Sequence, residues 1–178
     1  SLEKLLSWHE YPDSGVKYYS GRAVYRTTLE ADPPLPHDHK EVVLDLGQVA
    51  VAAEVKVNGN LAGILWKPPY RVDIGQFLVQ RVNTLEIAVV NLWVNRQIGD
   101  ELLPEDSGRN PNGTLKKWPD WLLNGQPSPS GRRTFTSWRI WKKDDPLQPS
   151  GLLGPVKLRC GMTVELDLNT PSNYRMTP

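Results

Sequence analysis

The chain has 178 residues and a formal net charge of +1, so it can bury a real core, and no overall field draws it to nucleic acid or to an anionic membrane. No apolar run approaches the roughly 18 residues of a membrane span, and the single cysteine, Cys160, excludes an intrachain disulfide and a cysteine-based zinc site. Seven Trp against two Phe, together with 16 Pro and 14 Gly, argue against long helices and for a loop-rich β protein.

The opening "SLEKLLSWHE" has neither an initiator Met nor a signal-peptide h-region, as expected of a trimmed chain or an internal fragment. Leu2, Leu5 and Leu6 share one face and predict a short helical turn over 2–8. From there the period is mostly two. "RAVYRTTLE" (22–30) and "EVVLDLG" (41–47) read as strands rich in strand formers. "AEVKVNGNLAGILW" (53–66) reads as a hairpin: Val55 and Val57 alternate with Glu54 and Lys56, and Asn58-Gly59 supplies the positive φ angles of a tight turn. "YRVDI" (70–74) is a short strand and "GQFLV" a turn of helix. "NTLEIAVVNLW" (83–93) is the strongest strand; both its faces are nearly apolar, which places it centrally with cover on two sides. "RTFTSWRIW" (133–141), "GPVKLRC" (154–160) and "TVELDL" (163–168) complete the strands.

About eight short strands with almost no helix predict an all-β antiparallel sandwich or barrel, a jelly roll being the expected arrangement. The strands after residue 133 would pair with early ones to close it. The expected organisation is one module over 1–168 with a long irregular loop at 96–133, then a loosely ordered tail at 169–178.

"YYSGRAVYRTTLE", "VVLDLGQVAVAAEVKVNGNLAGILWKPPYRVDI" and "NTLEIAVVNLWVNRQIGDE" follow one another in the order and spacing of a known module. They resemble the galactose-binding-like β-sandwich of the sugar-binding domain in glycoside hydrolase family 2. The likeness is closer still to the C-terminal region of family 106 α-L-rhamnosidases, where "NLWVNRQIGDELLP", "FTSWRIWKKDDPL" and "PSGLLGPVKL" have counterparts. The resemblance runs from about Trp8 to Leu158. It implies a non-catalytic carbohydrate-binding module of a bacterial, exported (secreted or periplasmic) polysaccharide-degrading glycoside hydrolase. Its implied partners are a polysaccharide or oligosaccharide of plant or algal cell walls and the catalytic domain of the parent enzyme, with no nucleic acid and no membrane. In that family the chemistry belongs to a separate barrel domain, so no catalytic residue is carried over.

Sugar rings are held by flat aromatic surfaces and by planar polar side chains that bind hydroxyls in pairs. Residues 91–142 hold five of the seven Trp, and a detour this long in a compact domain is functional or disordered, its aromatic content favouring function. The candidate carbohydrate contacts are Trp118, Trp121, Trp141, Arg96, Asn95 and Asp100. Trp93 is in register with Leu85, Ile87 and Val89 and belongs to the core or its rim. Trp138 and Trp141 would point to opposite faces of a regular strand, so at most one is a platform. Arg96 can pin a ligand, or pair with Asp100 or Glu101 and fold the loop onto itself.

No cofactor is expected, with room for one structural calcium of the kind related sandwiches hold; Asp144 and Asp145 are its candidate ligands. His37 and His39 in "HDH" lack a third ligand and read as a surface loop. Asn112-Gly113-Thr114 fits a glycosylation acceptor, and Cys160 reads as a buried, inert thiol. Two other functions stay open. One is a structural accessory domain that buries Trp118 and Trp121 against a catalytic neighbour. The other is a small jelly-roll glycan hydrolase or lyase. For a hydrolase only Glu54 and Glu86 sit mid-strand, and both are expected to face solvent. For a lyase Tyr18 or Tyr19 could act with His9. Nucleophile-elbow, phosphate-loop and dinucleotide motifs are missing from the sequence.

Overall fold

A computed structural model describes residues 4–31 and 40–162. The chain forms an all-β antiparallel sandwich. Its larger sheet has the order β1 (Arg22–Ala31), β7 (Arg81–Val90), β4 (Ala52–Val57), β5 (Asn60–Leu65). The facing sheet has the order β6 (Arg71–Asp73), β2 (Lys40–Asp45), β9 (Lys157–Met162), and β3 (Gln48–Ala50) pairs with β8 (Gly151–Gly154). The late strands close the fold as expected, β8 on β3 and β9 on β2.

The period-two pattern sorts the residues. Ala53, Val55 and Val57 of β4 and Leu85, Ile87 and Val89 of β7 point inward, and Val42 and Leu44 of β2 join the same core with Leu46, Tyr70, Ile74 and Leu152. Each fully buried side chain of this size contributes about 1.5–3 kcal/mol, which is why this alternation decides the register. Glu54 and Glu86 fall on the outer face, where they pair with Arg22 at 3.0 Å and Arg26 at 3.2 Å. The Asn58-Gly59 turn forms as read, with φ of 51° and 80°. Asn58 also donates to Asn83 Oδ1 at 2.8 Å and accepts from the Thr84 amide, so the turn is tied to the fully buried Asn83.

Several expectations are corrected. Residues 133–141 form no strand, making only an isolated bridge between Trp138 and Thr114; their hydrogen bonds run instead to the insertion between β7 and β8. β7 ends at Val90, three residues earlier than read, and Trp93 is 62% exposed rather than core, because the chain turns into the helix α2 (Val94–Asp100). β7 is central in its sheet; its inner face is buried, while on its outer face Ala88 is buried and the end residues Val82 and Val90 are exposed. Of the helical turn expected at 2–8, residues 2 and 3 lie outside the described residues and 4–7 are not helical; a 3-10 turn follows at Trp8–Glu10, and Trp8 is itself core. Cys160 is exposed. The strand read at 163–168, the tail and the HDH segment lie outside the described residues.

Candidate functional site

Where β7 ends, a short run of side chains ties together four separate pieces of chain. Asn91 is buried; its Oδ1 accepts from the Gly21 amide at 2.9 Å and its Nδ2 donates to the Tyr19 carbonyl at 2.8 Å. It thereby fixes the segment before β1, including α1 (Ser14–Lys17) and Tyr18-Tyr19. One helical turn on, Asn95 is 1% exposed and exchanges hydrogen bonds with Gln148 at both ends of its amide, adding Ser150 Oγ at 3.0 Å. Asp100, 2% exposed, accepts from the amides of Arg133 (3.0 Å) and Thr134 (2.7 Å) and from Thr134 Oγ1 (2.7 Å). Gly99 is bare because Tyr18 lies against it: a Cβ there would stand 2.6 Å from Tyr18 Cγ.

These ties leave a cleft of 460 Å³ beyond the end of the larger sheet, between Tyr18, Tyr19 and Ser20 on one side and Trp93, Arg96 and Leu102 on the other, with Arg133 also lining it. The Arg96 guanidinium lies 5.8 Å from the Tyr18 ring centre and pairs with Asp100 at 3.0 Å. Tyr19 stacks edge-on against Trp8 at 5.5 Å, and Trp8 donates to the Tyr25 hydroxyl, which also takes the Leu152 amide. One wall of the cleft is thus braced directly on the core.

The insertion beyond α2 is held by charge rather than by apolar burial. Glu101 pairs with Arg132 at 2.8 Å and Arg139 at 3.0 Å, and Arg139 also reaches Glu105. Arg132 donates to the carbonyls of Leu103 and Pro104, and Arg109 to those of Gly113 and Thr136. Burial pulls the Arg109 guanidinium below its ordinary value, with Glu101 and Asp106 opposing. For Asp106 burial pushes the carboxyl up, but hydrogen bonds from Ser128, Ser130 and Ser107, with the charge of Arg132, outweigh it and hold it below its ordinary value. In the facing sheet the Gly47 amide, then Arg71 and Arg159, hold Asp45 low against the opposing effect of burial.

Of the six carbohydrate candidates, only Arg96 lines this cleft. Asn95 and Asp100 are buried with their polar atoms turned to neighbouring chain. Trp121 and Trp118 both pack against Phe135, at 5.8 and 5.7 Å between ring centres, near α3 (Asp120–Leu123). Trp121 is half-buried and donates to the Asp106 carbonyl, Trp118 remains 52% exposed, and Trp141 is half-buried. Asp145 accepts from the Lys142 amide and caps its own turn, and Asp144 is exposed. Among the described residues no cluster of three His, Cys, Asp or Glu stands at metal-binding distance. The sequence reading missed Tyr18, Tyr19 and Trp93 as neighbours. The available signal was Asn91 at a strand end, a side chain suited to hold a distant backbone segment.

Fold and site together define an antiparallel β-sandwich module carrying an aromatic-walled recess at one end of its larger sheet. No protein-family model matches the chain. A provisionally named β-glucuronidase of Formosa agariphila is 47% identical over 157 residues, which is 88% of this chain and 13% of that protein. Among solved structures, the rhamnosidase from Novosphingobium sp. PP1Y is similar at 35% identity and a TM-score of 0.66, over 88% of this chain and 12% of that one. A β-D-glucuronidase from Dictyoglomus thermophilum is similar at 28% identity and a TM-score of 0.43, over 48% of this chain and 15% of that one. The chain is therefore related to a small part of much larger glycoside hydrolases, spanning 13% of the length of the curated relative and 12% of the rhamnosidase. Among the described residues no helix is long and apolar enough to cross a membrane.

Proposed function

We propose that the chain is a non-catalytic carbohydrate-binding module of an extracytoplasmic bacterial glycoside hydrolase of the α-L-rhamnosidase type, and that it holds a plant or algal cell-wall glycan in the Tyr18–Trp93 cleft. The observation that carries the reading is the pairing of a 460 Å³ recess with an indole that is 62% exposed at its wall. An aromatic face stacks on the C–H face of a pyranose, while Tyr hydroxyls and Arg guanidinium groups bind its hydroxyls. Among the described residues no Asp or Glu lines the recess, which does not match the carboxylate pair of a glycosidase.

Calorimetry or affinity electrophoresis with rhamnose-containing pectic and algal polysaccharides tests this. Trp93→Ala is expected to weaken binding about tenfold, the loss of about 1.4 kcal/mol, while Trp118→Ala leaves it unchanged. Loss in Trp118→Ala alone would move the site into the insertion, and binding to no glycan would sink the module reading. A second reading, a structural accessory domain, rests on the edge of the larger sheet. There Leu61, Ile64 and Trp66 are 50%, 62% and 68% exposed in a continuous apolar strip that suits packing on a catalytic domain. Its mark would be tight association with that domain, abolished by Ile64→Asp, in a chain that binds no glycan.

A further inference from the structure

We infer that the cleft selects saccharides carrying an anionic group, a carboxylate or sulfate ester on the ring, over neutral ones; this rests on the glycan-binding reading. Among the described residues two arginines, Arg96 and Arg133, line the cleft and no carboxylate does. They are not equivalent. Arg96 already has Asp100 as counter-ion, yet its Nε is buried and has no hydrogen-bond partner among the described residues. Arg133 is exposed, and among the described residues its guanidinium enters no ion pair, while its backbone amide is fixed on Asp100 Oδ2 at 3.0 Å. A free guanidinium on an anchored backbone is suited to a planar anion, which it grips through two parallel N–H bonds.

The surrounding charges strengthen this field. Lys17, outside the lining, places its ammonium 5.8 Å from the ring centre of Tyr18, a lining residue, and so adds positive charge near the cleft. The acid closest in sequence on that wall, Asp13, is turned to the amides of Gly15 and Val16 at 2.6 and 3.3 Å. Glu101, the next acid beyond α2, is spent on Arg132 and Arg139. A chain whose net charge is only +1 therefore sets the unpaired guanidinium of Arg133 at a recess walled by aromatic rings. The rings supply the stacking surface and the guanidinium the discrimination.

The test titrates the full chain with oligogalacturonides, with the same oligosaccharides after carboxyl reduction, and with a sulfated galactan. The anionic forms are expected to bind about five- to tenfold tighter than the reduced form at low salt. The gap should narrow as salt screens the pair. Arg133→Gln should erase it and Arg133→Lys restore part of it. Arg26→Gln, on the outer face of the sheet, should leave it intact. Binding of neutral and anionic forms with equal affinity, or selectivity unchanged in Arg133→Gln, overturns the inference and leaves the glycan reading standing. Binding of neither form overturns both. A preference for the sulfated galactan over oligogalacturonides would identify sulfate as the recognised group.

Discussion

Removing the carboxylate of Asp100 should release the insertion from the sandwich. Asp100→Ala deletes three hydrogen bonds to a charged acceptor, leaves the half-buried Thr134 without a partner, and leaves Arg96, whose side chain is 18% exposed, without its counter-ion. Breaking a buried pair from one side costs about 3–5 kcal/mol. With a urea m-value of about 2–3 kcal/mol/M, the unfolding midpoint should fall by about 1–2.5 M. Asp100→Asn keeps the shape and one acceptor, and should lose roughly half as much. Limited trypsin digestion supplies an independent readout, since the freed segment contains Arg132 and Arg133: cleavage there should appear in Asp100→Ala before global unfolding. A midpoint within about 0.3 M of the parent, with no new cleavage, would refute the assignment of this carboxylate as the anchor.

Acid should weaken the fold through Asp45 and Asp106. Both carboxyls are held below the ordinary 3.8 in the folded chain. Their stabilisation is complete above that unfolded value and is lost as pH falls through the lower folded ones. Urea midpoints should therefore fall below about pH 4, and Asp106→Asn should flatten part of that slope; an unchanged slope contradicts the assignment. Gly99→Ala gains up to about 1 kcal/mol of helix propensity but drives a methyl into Tyr18 and Arg96. Glycan binding should fall several-fold with little change in stability, and unaltered binding would show that the Tyr18 wall does not matter.

The sandwich was legible because alternation is a local code: Val55, Val57, Leu85, Ile87 and Val89 announce their face from spacing alone, and Asn58-Gly59 announces its turn. The cleft was not, because its parts are joined by long-range hydrogen bonds from side chains whose partners have no pattern in sequence. Asn91 reaches back 70 residues to Gly21 and Asn95 forward 53 to Gln148. Trp93 was misread for a related reason. Its parity matches the buried set, but a strand code expires where the strand does, and the helix that begins at Val94 turns the indole outward. Residues 133–141 have strand-like composition, yet their neighbours are arginines already bonded to loop carbonyls, so no partner strand meets them.

The Tyr25 hydroxyl, shared between Trp8 and the Leu152 amide, has a practical reach. Ser7 adds to the same junction: its hydroxyl accepts from the Ser150 amide at 2.8 Å, and the Trp8 amide donates to the Ser150 carbonyl at 3.0 Å. A segment lying well ahead of the first strand is therefore stitched into the strand region that closes the sandwich. Anyone transplanting this module onto another enzyme, and cutting at the first visible strand, would leave behind the seam that holds its two ends together.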